Sequence, residues 1–485
     1  MLFQMDFKRL PLTRALRRVV LILLMVAGAV GDWSLVVPSV FAAGDPQAAG
    51  EDISLDTIEN SNLKPLDIDN RYDIYITKDE LGDLMKDLSW KKGDFKFIPY
   101  GYIWTNTGYN SATGIPGDFV LYAQSPEISA SPDFFVDARQ SRIGMFVEGP
   151  KVDLLGKTNV RGVVEIDFEG TMNGTRNKGG LQLRKAFVEL VNKERDLRLA
   201  FGQDWEVISP LYPQMLSYLP AGFAGNIGYR RAQVRLEKGR TYSANFKTLT
   251  QVALADDIIG DFTSVSAASG KTSGVPLVEG RYAMSFWEEA RGGLPITVGL
   301  SAHFGQESYN FDPIAGTWRD KGEKDVAINT WSVNVDGDLP ITKRMRLQGE
   351  YYFGENLSSF CGGINQGVDL YRRAGLRDMG GWLSLHTSLT EKLCNNTGYA
   401  IDKVNDRDLV GTSVAVNGIA YARTQSSVLF TNFLYSWTSF LMTGAEFAYY
   451  RTDFRRADVR TSDPTFLPMD TGDLFRIDLA IKYSF

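Results

Sequence analysis

Along residues 95–485, oily and polar side chains change places at almost every step, in segments of roughly ten residues. The last segment is the clearest: Phe475, Ile477, Leu479, Ile481, Tyr483 and Phe485 alternate with Arg476, Asp478, Ala480, Lys482 and Ser484. Val160, Gly162, Val164, Ile166 and Phe168 alternate in the same way with Arg161, Val163, Glu165 and Asp167. So do Met345, Leu347, Gly349, Tyr351 and Phe353, set against Arg344, Arg346, Gln348, Glu350 and Tyr352. A period of two is that of a strand with one apolar face, and this segment length suits a tilted strand crossing hydrocarbon. Sixteen such segments are predicted, from 95–106 to 472–485, and their connections alternate long and short. The long ones are 107–133, 170–180, 205–227, 256–277, 306–324, 355–377, 403–422 and 455–471. Hydrocarbon offers no water to an open sheet edge, so spanning strands must close on themselves. The pattern therefore predicts an all-β fold: a transmembrane antiparallel up-and-down β-barrel of 16 strands, with short periplasmic turns and long outer loops.

Composition is compatible with this. A content of 44% hydrophobic and 23% charged residues resembles a soluble protein, but a barrel hides its apolar face in alternation. Residues 1–42 predict a signal peptide: Lys8, Arg9, Arg14, Arg17 and Arg18 precede an apolar run, with small residues before Ala43. Its five basic side chains outnumber Asp6 and Asp32 by three, so removing it takes the net charge from −6 to −9. That balance argues against a nucleic-acid partner. Nothing after Ala43 offers the uninterrupted apolar run of a spanning helix. Residues 43–94 form an acidic periplasmic segment with one short amphipathic helix over 77–88, where Leu81, Leu84, Met85 and Leu88 share a face. Aromatics expected in an interfacial girdle are Tyr100, Tyr102, Trp104, Tyr351, Tyr449 and Tyr483.

The stretches Ala138-Arg-Gln-Ser-Arg-Ile-Gly144, Gly202-Gln-Asp-Trp205, Gly228-Tyr-Arg-Arg-Ala-Gln-Val-Arg235, Gly380-Gly-Trp382 and Gly398-Tyr-Ala-Ile-Asp402 of the barrel region resemble those of the DcaP-like trimeric porins of the general bacterial porin superfamily. Ile481, Tyr483 and Phe485 resemble the C-terminal signal of outer-membrane barrels. The resemblance implies a homotrimeric, water-filled channel in the bacterial outer membrane, surrounded by its lipid and passing small anionic solutes such as dicarboxylates. It does not extend to a coiled-coil stalk, because residues 43–94 show no sustained heptads.

Alternation places Arg142, Arg161, Arg198, Arg231, Arg235, Arg281, Arg344, Arg346 and Arg476 on the less oily, lumen-directed faces. Guanidinium groups in a narrow pore concentrate anions and grip carboxylates without losing charge. The competing expectation is that they pair with inward acids such as Glu165, Asp167, Glu350 and Asp478 and only stiffen the wall. Arg184 is set apart, since Ala186, Val188 and Leu190 on its face look lipid-directed. Residues 205–227, the third long loop, are oily and punctuated by Pro210, Pro213 and Pro220. The loop is predicted to fold inward as a constriction, offering Glu206, Tyr212 and Tyr218 to the solute; a subunit contact is the alternative.

Other chemistry is sparse. Cys361 and Cys394 fall at opposite ends of the strands and are predicted to be free thiols. The two histidines, His303 and His386, lack ligand spacing, so no metal and no cofactor are expected. Ser269-Gly-Lys-Thr272 echoes a phosphate loop without its first glycine, and His386 near Ser384 is a pair that alternation alone produces. The chain is read as a diffusion channel and not an enzyme, with a loop-plugged structural or receptor barrel as the alternative.

Overall fold

A computed structural model describes residues 90–154, 156–170, 176–258, 274–287, 294–413 and 417–485. The expected signal peptide, the helix over 77–88 and Ser269–Thr272 lie outside these residues. Sixteen long strands follow one another: β1 (Phe95–Asn110), β2 (Arg142–Asp153), β3 (Lys157–Asp167), β4 (Gln182–Asn192), β5 (Leu197–Trp205), β6 (Arg230–Ser243), β7 (Phe246–Ala255) and β8 (Leu277–Trp287), then β9 (Pro295–Phe311), β10 (Glu323–Thr342), β11 (Met345–Glu355), β12 (Arg377–Ser388), β13 (Leu393–Val404), β14 (Ile419–Ser436), β15 (Leu441–Asp458) and β16 (Gly472–Ser484). Each pairs antiparallel with its neighbour in sequence. β16 then pairs with β1, Thr105 opposite Ile481 and Gly108 opposite Asp478, so the sheet closes as a cylinder. Every one of the sixteen sequence segments corresponds to one of these strands.

Alternation sets the register. In β16, Leu474, Arg476, Asp478, Ala480 and Lys482 are buried, while Phe475, Leu479, Ile481 and Tyr483 are exposed on the outside. The same order runs through β7, where Val252 and Leu254 face out and Gln251, Ala253 and Ala255 face in. One-residue slippage would turn every apolar side chain into the lumen, which fixes the pairing.

The eight long connections, L1 to L8 in chain order, lie at one end and the tight turns at the other. A short outer strand, Asp133–Asp137, extends β2 along the top of β1. The lumen is not lined by polar groups alone. L3 (206–229) packs Leu211, Met215, Ala221 and Ala224 against Trp382, Ala400, Phe430 and Tyr450 of the β12 to β15 wall. L6 (356–376) contributes Leu357 and Phe360 to a second apolar cluster with Ile208 and Ile227 of L3. An apolar core thus sits inside the barrel, beneath the long loops.

Tyr351, Tyr449 and Tyr483 face outward, as a girdle requires. Tyr100 and Trp104 do not: both are buried on the inward face of β1, with Tyr102 between them at the cavity described below. On that strand Ile103, Thr105, Thr107 and Tyr109 hold the outward positions, so its aromatics belong to the lumen.

Candidate functional site

L3 has too much apolar surface to lie in water, and its prolines break regular structure, so it gains most by entering the barrel. Once inside, its backbone N–H groups need acceptors. Inward carboxylates supply them: Val207 N donates to Glu279 Oε2 (3.0 Å), Leu211 N to Glu350 Oε1 (2.6 Å) and Leu216 N to Glu446 Oε2 (2.8 Å). Three acids on β8, β11 and β15 therefore hold the loop, Glu279 while also lying 3.9 Å from Arg231. Gly225 shows how closely the loop seats. A Cβ there would lie 2.5 Å from the carbonyl oxygen of Gly381 and 2.6 Å from that of Ile401, and its φ is +121°.

Of the three L3 side chains expected to meet solute, Glu206 does not. It is buried, its carboxylate accepts from Arg231 Nε and also from Tyr229 N (3.1 Å). Burial, with Glu279 nearby, pushes its carboxyl up to about 8 against the pull of Arg231. Tyr212 and Tyr218 both line the cavity. Tyr218 Oη donates to Asp167 Oδ2 (2.8 Å), tying L3 to the β3 wall opposite its apolar contacts. Burial raises the pKa of this phenol, which keeps it a donor.

Most of the sequence-predicted arginines face inward, but as members of ion pairs. Arg161 and Arg198 share Glu189, at 2.6 and 2.5 Å, and Arg198 also meets Glu237 at 2.9 Å. Arg235 binds Asp204 (2.5 Å), Arg281 binds Asp336 (2.6 Å) and Arg346 binds Asp338 (3.0 Å). Arg476 pairs with Asp478 and donates to Asp118 O (2.7 Å) in L1. Arg231 is fully enclosed. Arg344 leaves the wall altogether: it lies in the exposed turn between β10 and β11, beyond the end of the strand.

The residues that converge are only in part the predicted ones, Arg142, Tyr212 and Tyr218, joined by others. Between L3 and the wall of β1, β2, β4 and β16 lies a cavity of about 70 Å³, lined by Arg142, Arg184, Arg230 and Lys482 together with Tyr102, Trp104, Trp205, Tyr212 and Tyr218. Among the described residues, four basic side chains line it and no acidic one does. Arg142 lies 3.6 Å from Glu165, and Arg184 binds Glu165 (2.8 Å) and Asp167 (2.7 Å) just behind the lining. Arg230 instead donates to the Tyr229 hydroxyl (2.9 Å) and makes no ion pair among the described residues. Arg230 Nη1 and Trp104 Nε1 are buried donors without a hydrogen-bond partner. Aromatic rings support the cations: Arg230 stands 5.0 Å from the Trp205 ring, Arg142 5.0 Å and Lys482 4.2 Å from that of Tyr102. Stacking of this kind holds a cation without cancelling its charge.

Arg184 corrects the alternation reading. Glu165 pairs with Lys185 but Ile166 with Leu183, so Arg184 is the extra residue of a β-bulge, which turns it inward while Val188 stays outside. Arg230 was missed because it stands beside the inward-facing Arg231, at the point where β6 leaves L3. Lys482 was legible, since it shares the inward parity of Arg476 and Asp478. Cys361 is buried in L6 and Cys394 sits near the turns; both are free thiols. His386 hydrogen-bonds Asn396 (2.8 Å) and Ser388 (3.4 Å), not Ser384.

No family model matches the chain, and no curated protein matches it. Among solved structures, the outer membrane channel DcaP of Acinetobacter baumannii is similar, with 18% identity over 81% of this chain and 99% of that one, at a TM-score of 0.55. An anion-selective porin from Comamonas acidovorans superposes more loosely, with 11% identity, 81% and 100% coverage and a TM-score of 0.48. Salmonella typhi OmpF gives 10% identity, 82% and 100% coverage and 0.46. The barrel fold described above is thus shared with DcaP.

Proposed function

We propose that the protein is an outer-membrane diffusion channel that favours small anions, dicarboxylates among them, and works as a homotrimer embedded in outer-membrane lipid. The observation that supports this is the cavity between L3 and the wall of β1, β2, β4 and β16, lined among the described residues by four basic side chains and no acidic one, with two unbonded donors, Arg230 Nη1 and Trp104 Nε1. A carboxylate arriving there meets charge and hydrogen-bond donors in a low-dielectric frame, where guanidinium groups keep their charge at any physiological pH. The ion-paired arginines elsewhere on the wall serve as its scaffold. The outward belt of Val, Leu, Phe and Tyr suits lipid contact.

Purified protein in planar bilayers should give steady open channels whose reversal potential in a salt gradient reports anion preference. Cation preference would overturn the selectivity. Negligible conductance would favour a loop-plugged structural or receptor barrel, the reading that the inward packing of L3 and L6 otherwise supports.

A further inference from the structure

Arg231 was a natural candidate for the selective wall, and its surroundings give it different work. Its guanidinium reaches three loops at once. Nε donates to Glu206 of L3, Nη1 to the Asp256 carbonyl of L4 (3.1 Å) and Nη2 to the Ser359 carbonyl of L6 (3.1 Å). The charge stands 4.1 Å from the ring of Phe360, whose other neighbour is the stacked His303 ring at 3.9 Å. Around it the loops bond directly, Phe223 N to Cys361 O and Gly228 N to Phe360 O, both at 2.7 Å. Ser359 Oγ donates to Glu307 (2.8 Å), and Glu279 takes Val207 N. The side chain is fully enclosed, so it cannot meet a solute in this arrangement.

We infer that Arg231 is a positioning residue: it clasps L3 to L4 and L6 and thereby fixes the aperture that Arg142, Arg184 and Arg230 line, without itself selecting the ion. The inference rests on the channel reading. A planar guanidinium can serve three acceptors in fixed directions, whereas an ammonium is a point charge that cannot span them. Lysine at 231 should therefore fail to restore what methionine loses.

The test uses the full-length barrel, as wild type, Arg231→Met, Arg231→Lys and Arg230→Glu. Single-channel recording in a salt gradient should show larger, flickering currents for both Arg231 variants with the wild-type permeability ratio, and a ratio shifted toward cations with quiet currents for Arg230→Glu. Hydrogen exchange supplies an independent readout: amides of Val207, Leu211 and Leu216 should lose protection in Arg231→Met, together with those of Phe223 and Gly228. Should Arg231→Met not assemble, Glu206→Ala, which removes the acceptor of Arg231 Nε, tests the same clasp, and the same loss of L3 protection is expected. The inference is overturned if the Arg231 variants shift the permeability ratio as Arg230→Glu does, if Arg231→Lys behaves as wild type, or if L3 and L6 keep their protection. A wild type that conducts nothing while the variants still release L3 would sink the channel reading and leave the clasp standing.

Discussion

Among the inward arginines, environment separates charge that holds the wall from charge a solute can meet. Arg281 is spent on Asp336, with contacts of 2.9 and 2.6 Å, while Arg230 has only a phenol and an amide. Reversal of Arg230 to Glu should therefore change the anion-to-cation permeability ratio on the order of tenfold, since it inverts charge in a focusing aperture. Arg281→Ala should leave that ratio nearly unchanged and instead strand the buried Asp336, a loss of about 3–5 kcal/mol. A lowered urea midpoint with wild-type reversal potential is the expected pair of results for Arg281→Ala. A large selectivity change there would mean that paired arginines also meet the solute. At Cys361, burial pushes the thiol up and enclosure excludes reagents. Thiol titration of the folded protein should leave it unreacted, and intact mass after denaturing alkylation should show both cysteines modified.

At the scale of single elements, the base of L2 carries its own pH dependence. Glu169 lies just beyond β3, buried, 3.4 Å from Arg139, and burial is the main reason its carboxyl rises from 4.5 to about 8. Asp137, Asp167 and Asp118 push in the same direction, against Arg139. An acid with a raised pKa in the folded state holds its proton there longer than in the open one, so the folded form loses advantage as pH climbs from about 4.5 through 8. Exchange at Phe168 and Gly170, whose amides bond Arg139 O and Gly180 O, should accelerate over that window beyond the intrinsic rate, and Glu169→Gln should flatten the change. An unchanged profile in Glu169→Gln would assign the effect to another group. Strand positions were legible because period-two alternation is a property of the chain itself, as β16 shows. What was not legible is where alternation is locally broken or overruled. The bulge at Arg184, the inward aromatics Tyr100 and Trp104, and the exit of Arg344 into a turn all depend on a neighbouring strand's register. The inward fold of L3 could be read from its oil, yet the burial of Glu206 could not, because its partner Arg231 comes from β6 and its surroundings from L4 and L6.

For the molecule as a whole, one seam distinguishes a cylinder from two stacked sheets. The first and last strands are far apart in sequence, and only closure brings Thr105 opposite Ile481 and Thr107 opposite Leu479. Directly opposed residues of an antiparallel pair have Cβ atoms ~4.5–5.5 Å apart, near the reach of a disulfide. Thr105 and Ile481 both point outward, so a disulfide between them would not disturb L3 or the aperture. The double variant Thr105→Cys/Ile481→Cys should therefore oxidise within one chain, and the crosslinked protein should keep its conductance and its slower migration after heating without reductant. Shifting one member by a residue, with Cys at Asn106 and 481, should give little intramolecular product, because the two side chains then face opposite sides of the sheet. Crosslinks only between chains, or equal yields from both pairs, would mean that β1 and β16 do not share this register. The cavity, whose walls come from both sides of that seam through Tyr102, Trp104 and Lys482, would then not exist as a unit. Closure is thus a condition of the basic cavity itself, since its basic and aromatic groups are assembled only when the two ends of the sheet meet.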